Sequence, residues 1–204
     1  MSISYPLALP TVTGIAEIEI RTSNTVAVSE SPFTGAQQAI AYPRQQWSAT
    51  VTLPPMKRAD AETWVAFLVS LRGRLGTFLM GDPLGAVARG SGGGTPVIDS
   101  AVDGTLSITG APASASGWLL AGDYIQLGAG STATLHKVLA DVDTSVSGTA
   151  TVEVWPYPRR TLTTGEAVTI TGAKGKFRLS TNDTAWSVSE GVRYGISFDC
   201  MEAI

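Results

Sequence analysis

Hydrophobic and polar side chains alternate along several stretches of this chain, the pattern that gives a β-strand one buried and one solvated face. Trp47, Ala49, Val51 and Leu53 alternate with Ser48, Thr50 and Thr52. Near the other end Val192, Tyr194, Ile196, Phe198 and Cys200 alternate with Arg193, Gly195, Ser197 and Asp199. Ile18 and Ile20, set between Glu17 and Glu19, predict a third strand, and Thr77 to Met80 a short, fully buried fourth. The period changes only once. Between Arg58 and Arg72 the apolar residues Ala61, Trp64, Val65, Leu68 and Leu71 fall on one helical face, with Phe67 widening it. Asp60 and Glu62 lie where a helix N-terminus favours acid, and Gly73 is placed to end the helix in the left-handed region. This helix is expected to lie across one sheet, with Trp64 and Leu68 facing it.

The stretch Ala88 to Pro96, ARGSGGGTP, reads as a flexible linker and hinge, and Gly172 to Lys176, GAKGK, as a second weak point. Between them stand about six short strand candidates separated by Gly and Ser turns. Among them are Tyr124 to Leu127, Thr132 to Leu139, Ala150 to Trp155 and Val168 to Ile170. Such spacing predicts a small barrel or sandwich. The strand Val192 to Cys200 lies after the second weak point, where about 30 residues are too few to form a domain of their own, so it is expected to return to the first. The predicted fold is mainly β. A discontinuous sandwich or barrel domain with one packed helix, from residues 1–88 and 174–204, would carry an inserted all-β domain at 95–172.

Composition agrees and narrows the function. With 44% hydrophobic and 15% charged residues the chain is too apolar for disorder, yet it has no apolar run long enough to span a membrane. The start, Met1-Ser2-Ile3-Ser4, lacks the basic and apolar regions of a secretory signal, so synthesis and retention in a cytoplasm are expected. A net charge of −3, with Lys and Arg scattered, argues against specific nucleic-acid binding.

Candidate chemistry is sparse. His136 is the only histidine and Cys200 the only cysteine, so histidine-based triads, multi-histidine metal sites and disulfides cannot be assembled. Alternation places His136 on an exposed strand face and Cys200 on a buried one. Asp141, Asp143 and Ser145 begin like a calcium loop, but Val146 and Val152 stand where that loop needs Gly and Glu. A turn with these side chains bonding their own backbone is the simpler reading. The run Ser91 to Thr95, SGGGT, lacks the Lys and following helix of a phosphate-binding loop. Trp118, Tyr124, Trp155 and Tyr157 are either core residues or a sugar-binding platform. No catalytic, cofactor-binding or metal residue is assigned, no cofactor is expected, and the protein is read as a non-enzyme.

One ordered set of segments resembles a known family. Trp47 to Pro83, WSATVTLPPMKRADAETWVAFLVSLRGRLGTFLMGDP, resembles the hub core of siphophage distal tail proteins and lambda-type minor tail proteins. That core consists of an alternating strand, a helix ending near Gly, and a short Phe-Leu strand closing at Pro. Phe177 to Ala203 is similar to the closing hairpin of the same module. LLAGDYIQLG and LHKVLADVDTSVSGTATVEVWP resemble its inserted, outward-projecting β-barrel. The resemblance implies a virion structural protein at the tail tip of a bacteriophage. It would form a homo-oligomeric, hexameric ring between the tail tube protein and the hub or baseplate protein, near the tape measure protein. The competing expectations are a carbohydrate-binding surface module, acting through 95–172, and a wall-degrading hydrolase.

Overall fold

The computed structural model describes residues 3–191 and 193–204; Val192, the first residue of the expected C-terminal strand, lies outside them. The fold is mainly β, with one α-helix and two sheets among the described residues. In chain order the elements are β1 (Leu7–Ala8), β2 (Glu17–Glu30), β3 (Gln37–Thr52), α1 (Arg58–Ser70) and β4 (Phe78–Met80). Next come β5 (Val97–Val102), β6 (Thr105–Thr109), β7 (Tyr124–Leu127), β8 (Thr134–Val138), β9 (Ala150–Trp155) and β10 (Val168–Thr169). The chain closes with β11 (Gly175–Leu179), β12 (Trp186–Val188) and β13 (Tyr194–Glu202).

The first sheet runs β1-β4-β11-β13-β3-β2, with β12 added to β13. Its alternating residues are buried as the pattern demands: Trp47, Ala49, Val51 and Leu53 from β3 and its end, and Ile196, Phe198 and Cys200 from β13. Helix α1 closes this core with Ala61, Trp64, Phe67 and Leu68, and Leu71 follows just beyond it. Phe67 meets the edge of Phe78 at 5.6 Å, and Phe78 that of Phe198 at 6.2 Å. The helix ends earlier than Arg72, at Ser70, because Arg72 and Gly73 both take left-handed φ, 51° and 66°. The chain then turns so that Gly76 donates its N–H to the Leu71 carbonyl at 2.7 Å.

The second sheet, β10-β7-β8-β9-β6-β5, curls into a nearly closed barrel. Its ends meet where Ile98 donates to the Glu166 carbonyl and Val168 to that of Pro96, at 2.8 and 2.9 Å. Ile98, Leu106, Ile108, Trp118, Ile125, Leu127 and Val152 fill it. The chain leaves the first sheet after β4 and returns in β11, which pairs directly with β4 in antiparallel register. Departure and return are therefore side by side.

Neither glycine-rich stretch is loose. Ser91 and Gly92 donate to the carbonyls of Gly117 and Trp118 at 2.9 Å each, and the Trp118 indole donates to the Gly93 carbonyl. Gly94 has φ 82°, and a Cβ there would stand 2.5 Å from the Gly110 oxygen. Gly175, in the second stretch, is buried within β11, where a Cβ would meet Leu135 of β8 at 2.8 Å. The expected hinge is instead a packed connection, because residues without side chains let two backbones approach and hydrogen-bond.

Candidate functional site

Beyond the body, β2 and β3 continue as a two-stranded arm. Their antiparallel register runs from Glu17 opposite Thr52 to Glu30 opposite Gln37, with one irregularity at Asn24 and Thr25 that bypasses Pro43 and Arg44. From Arg21 to Arg44 every residue except Ser31 is exposed. At about 3.4 Å per residue the exposed part projects some 30 Å. At its end Ser31 donates to the Ala36 carbonyl and Gly35 to that of Ser31, both at 2.9 Å, and Phe33 at the tip is 94% exposed.

The pairing decides which side chains share a face. Ile18 and Ile20 pack against the core of the first sheet, and two-residue periodicity carries their face outward to Val26 and Val28, opposite Ala41 and Ala39. The other face presents Ile40 and Tyr42, opposite Ala27 and Thr25. Thus both faces of the arm carry large exposed apolar side chains among small polar ones. Residues 22–43 include a single charged side chain, Glu30, held by the Gln37 amide at 3.0 Å. Proteins normally guard free edges with Lys, bulges or covering loops. Here β2 ends the sheet order, and β3 pairs with β13 only over Ser48–Thr52, so both edges of the arm stand open.

A lone two-stranded ribbon is barely stable in water, and this one is clamped at its root by the barrel. Trp155 donates its indole N–H to Asn24 at 2.7 Å, Tyr157 its backbone N–H to the Gln45 side chain at 2.9 Å, and Arg159 a guanidinium N–H to the Gln45 carbonyl at 2.6 Å. Arg159 also pairs at 2.6 Å with Glu202, a buried carboxylate that accepts the Trp47 N–H. Trp47 joins the two cores: its indole donates to the Leu135 carbonyl at 2.9 Å and meets Trp155 edge-on at 4.5 Å. Tyr124 and Leu135, from the barrel strands, belong to the core of the first sheet.

His136, expected on an exposed face, is buried at 2% exposure. Its Nδ1–H donates to the Pro156 carbonyl and its Nε2 accepts from the Thr134 hydroxyl at 2.9 Å. The error has a simple cause: β8 is covered on both sides, by the barrel interior and by the first sheet, so alternation no longer separates buried from wet. Burial, aided by Arg159 and Arg160, pushes the His136 pKa down to about 4 against the opposing Pro156 bond. Cys200 is buried as the alternation predicts, and burial pushes its thiol up to about 12.

Asp141 and Asp143 do not bond their own turn. They accept N–H bonds from Ala121 at 2.8 Å and Gly117 at 2.6 Å, tying down the loop across from them, whereas Ser145 does bond its local backbone at Ser147 and Thr149. Among the described residues no group of three or more His, Cys, Asp or Glu gathers as a metal site would. The four aromatics form no exposed platform. Trp118 and Tyr124 are core residues, and Trp155 and Tyr157 are half-buried at the junction.

Asp123 locks the first glycine-rich stretch. Burial alone would raise its pKa, but N–H bonds from Leu120, Arg89 and Gly90, with the Arg89 charge, lower it. No helix among the described residues is long and apolar enough to cross a membrane. No family model matches the chain, and comparison with curated proteins gives no match.

Proposed function

We propose that this protein is a ring-forming structural subunit, and specifically the tail-tip ring of a bacteriophage with a long non-contractile tail. The observation that carries the assembly reading is the arm: a ribbon with exposed apolar side chains on both faces, open at both edges and nearly free of charge. Such a surface is a liability on a monomer and an interface in an assembly. Nothing in it resembles a catalytic centre, and the two most reactive side chain types in the chain, His136 and Cys200, are buried. The phage assignment rests on the sequence resemblance of Trp47–Pro83 and Phe177–Ala203 to tail hubs, whose segments here build one sheet and its helix. The ring would be hexameric, seated between the tail tube protein and the hub or baseplate protein, with the barrel turned outward.

The test is assembly. Native mass spectrometry and cryo-electron microscopy of the purified protein, alone and with tail tubes, should find closed rings. Replacing Thr25–Tyr42 by a short turn should leave a folded monomer that forms none. Rings formed equally well without the arm, or an intact protein found neither as rings nor on tails, would refute the proposal.

A further inference from the structure

The first sheet carries, at the opposite end of the same ribbon, a groove open to solvent. It is lined by Ile18 and Ile20 of β2, by Ile15 just before that strand, and by Pro83, Leu84 and Tyr124 facing them, with the carboxylates of Glu17 and Asp82 also on its wall, and measures about 510 Å³. Leu84 stands on its rim at 96% exposure, its backbone N–H held by Asp82 at 2.9 Å. We infer that this groove receives the arm of a second copy of the chain, with Phe33 as the anchor. The inference deepens the ring reading and rests on it.

Three observations choose the occupant. From Ile18 beside the groove the paired ribbon runs twelve residues to Glu30, roughly 40 Å at strand spacing, before the turn that carries Phe33, so a chain cannot fill its own groove. The groove borders an unpaired strand edge, and the arm brings unpaired strands of its own, so docking extends the sheet as well as burying apolar side chains. Tip and groove are also different surfaces. Contact between them is head-to-tail, the geometry that closes into a ring when the rotation between copies allows it. A self-matching contact, tip against tip, would stop at a dimer.

Both anchoring positions lie in solvent, so they can be changed without touching a core. Phe33→Asp removes the donor's anchor and Leu84→Asp charges the acceptor's rim. Each variant should melt like the parent and assemble at least roughly a hundredfold more weakly, as loss of a central aromatic anchor does. Mixed together they should form one-to-one dimers and nothing larger, since only one intact tip and one intact groove remain to meet. In a mixture of Phe33→Cys and Leu84→Cys proteins, an oxidised cross-link between copies should join these two positions. Rings unaffected by either substitution, a mixture that stays monomeric, or cross-links formed only tip to tip between copies of the Phe33→Cys protein would overturn the groove assignment while leaving ring formation standing. Failure of the parent protein to assemble under any of these conditions would overturn both.

Discussion

If Trp47 holds the two cores together, replacing it by Phe should weaken both. The substitution keeps an aromatic ring in a site only 2% exposed but removes the indole N–H and leaves the Leu135 carbonyl without its donor. An unsatisfied buried acceptor costs about 1–3 kcal/mol. The smaller ring leaves a void whose penalty, at some 24 cal/mol per Å³, adds about 1 kcal/mol. The expected loss is therefore about 2–4 kcal/mol, and for a chain of this size a fall in Tm on the order of 5–15 °C. Denaturant titration measures the loss, and hydrogen exchange followed by mass spectrometry locates it. Peptides covering β6 of the barrel and β13 of the first sheet should both exchange faster. Trp155→Phe serves as the comparison, because its N–H bond to Asn24 lies at the surface and should matter less. A loss below about 0.5 kcal/mol, the scale of a surface change, or faster exchange confined to one sheet, would refute the claim that this residue couples them.

Other expectations follow from the same packing. Leu68→Ala, on the face of α1 against the sheet, should cost on the order of 2–5 kcal/mol in a denaturation experiment, because a buried leucine leaves a cavity. His136 has its folded pKa lowered from 6.5 to about 4, so the unfolded chain binds its proton first as pH falls. Stability should accordingly drop between about pH 6.5 and pH 4, by about 3 kcal/mol in total, and a His136→Asn protein should lack that step in its pH–stability curve. Residues 95–172 alone, and the remainder closed by a Gly-Ser bridge, should each give dispersed amide spectra. Both should melt lower than the intact chain, because separation bares Leu135 on one piece and Trp47 on the other; an unchanged melting temperature in both would contradict the shared core.

Much of the architecture was legible without coordinates. Alternation at Trp47–Leu53 and Tyr194–Cys200, and the helical spacing of Ala61 to Leu71, reflect burial of one face, and those faces are buried. The mainly β class follows from these together with the short strands between Gly turns. The arm was not legible. Its residues, Thr22 to Pro43, mix Ser, Thr, Ala and Gln without a clean period, because neither face meets a core that would select one. A weak signal was present in Ser31-Pro32-Phe33-Thr34-Gly35, a turn sequence between Thr25-Val26-Ala27-Val28 and Ile40-Ala41-Tyr42.

Local pattern, then, determined which stretches are strands, where the single helix lies and which of their faces turn inward, since those depend on neighbours two to four positions away. The tertiary structure alone decided that β8 is covered on both sides, which buries His136. It also decided that the glycine-rich connections are locked by carbonyls from distant loops, and that β2 and β3 run on past the body with their edges open. Each of these depends on contacts between residues far apart in the chain, and periodicity along one strand carries no information about what is packed against its other face.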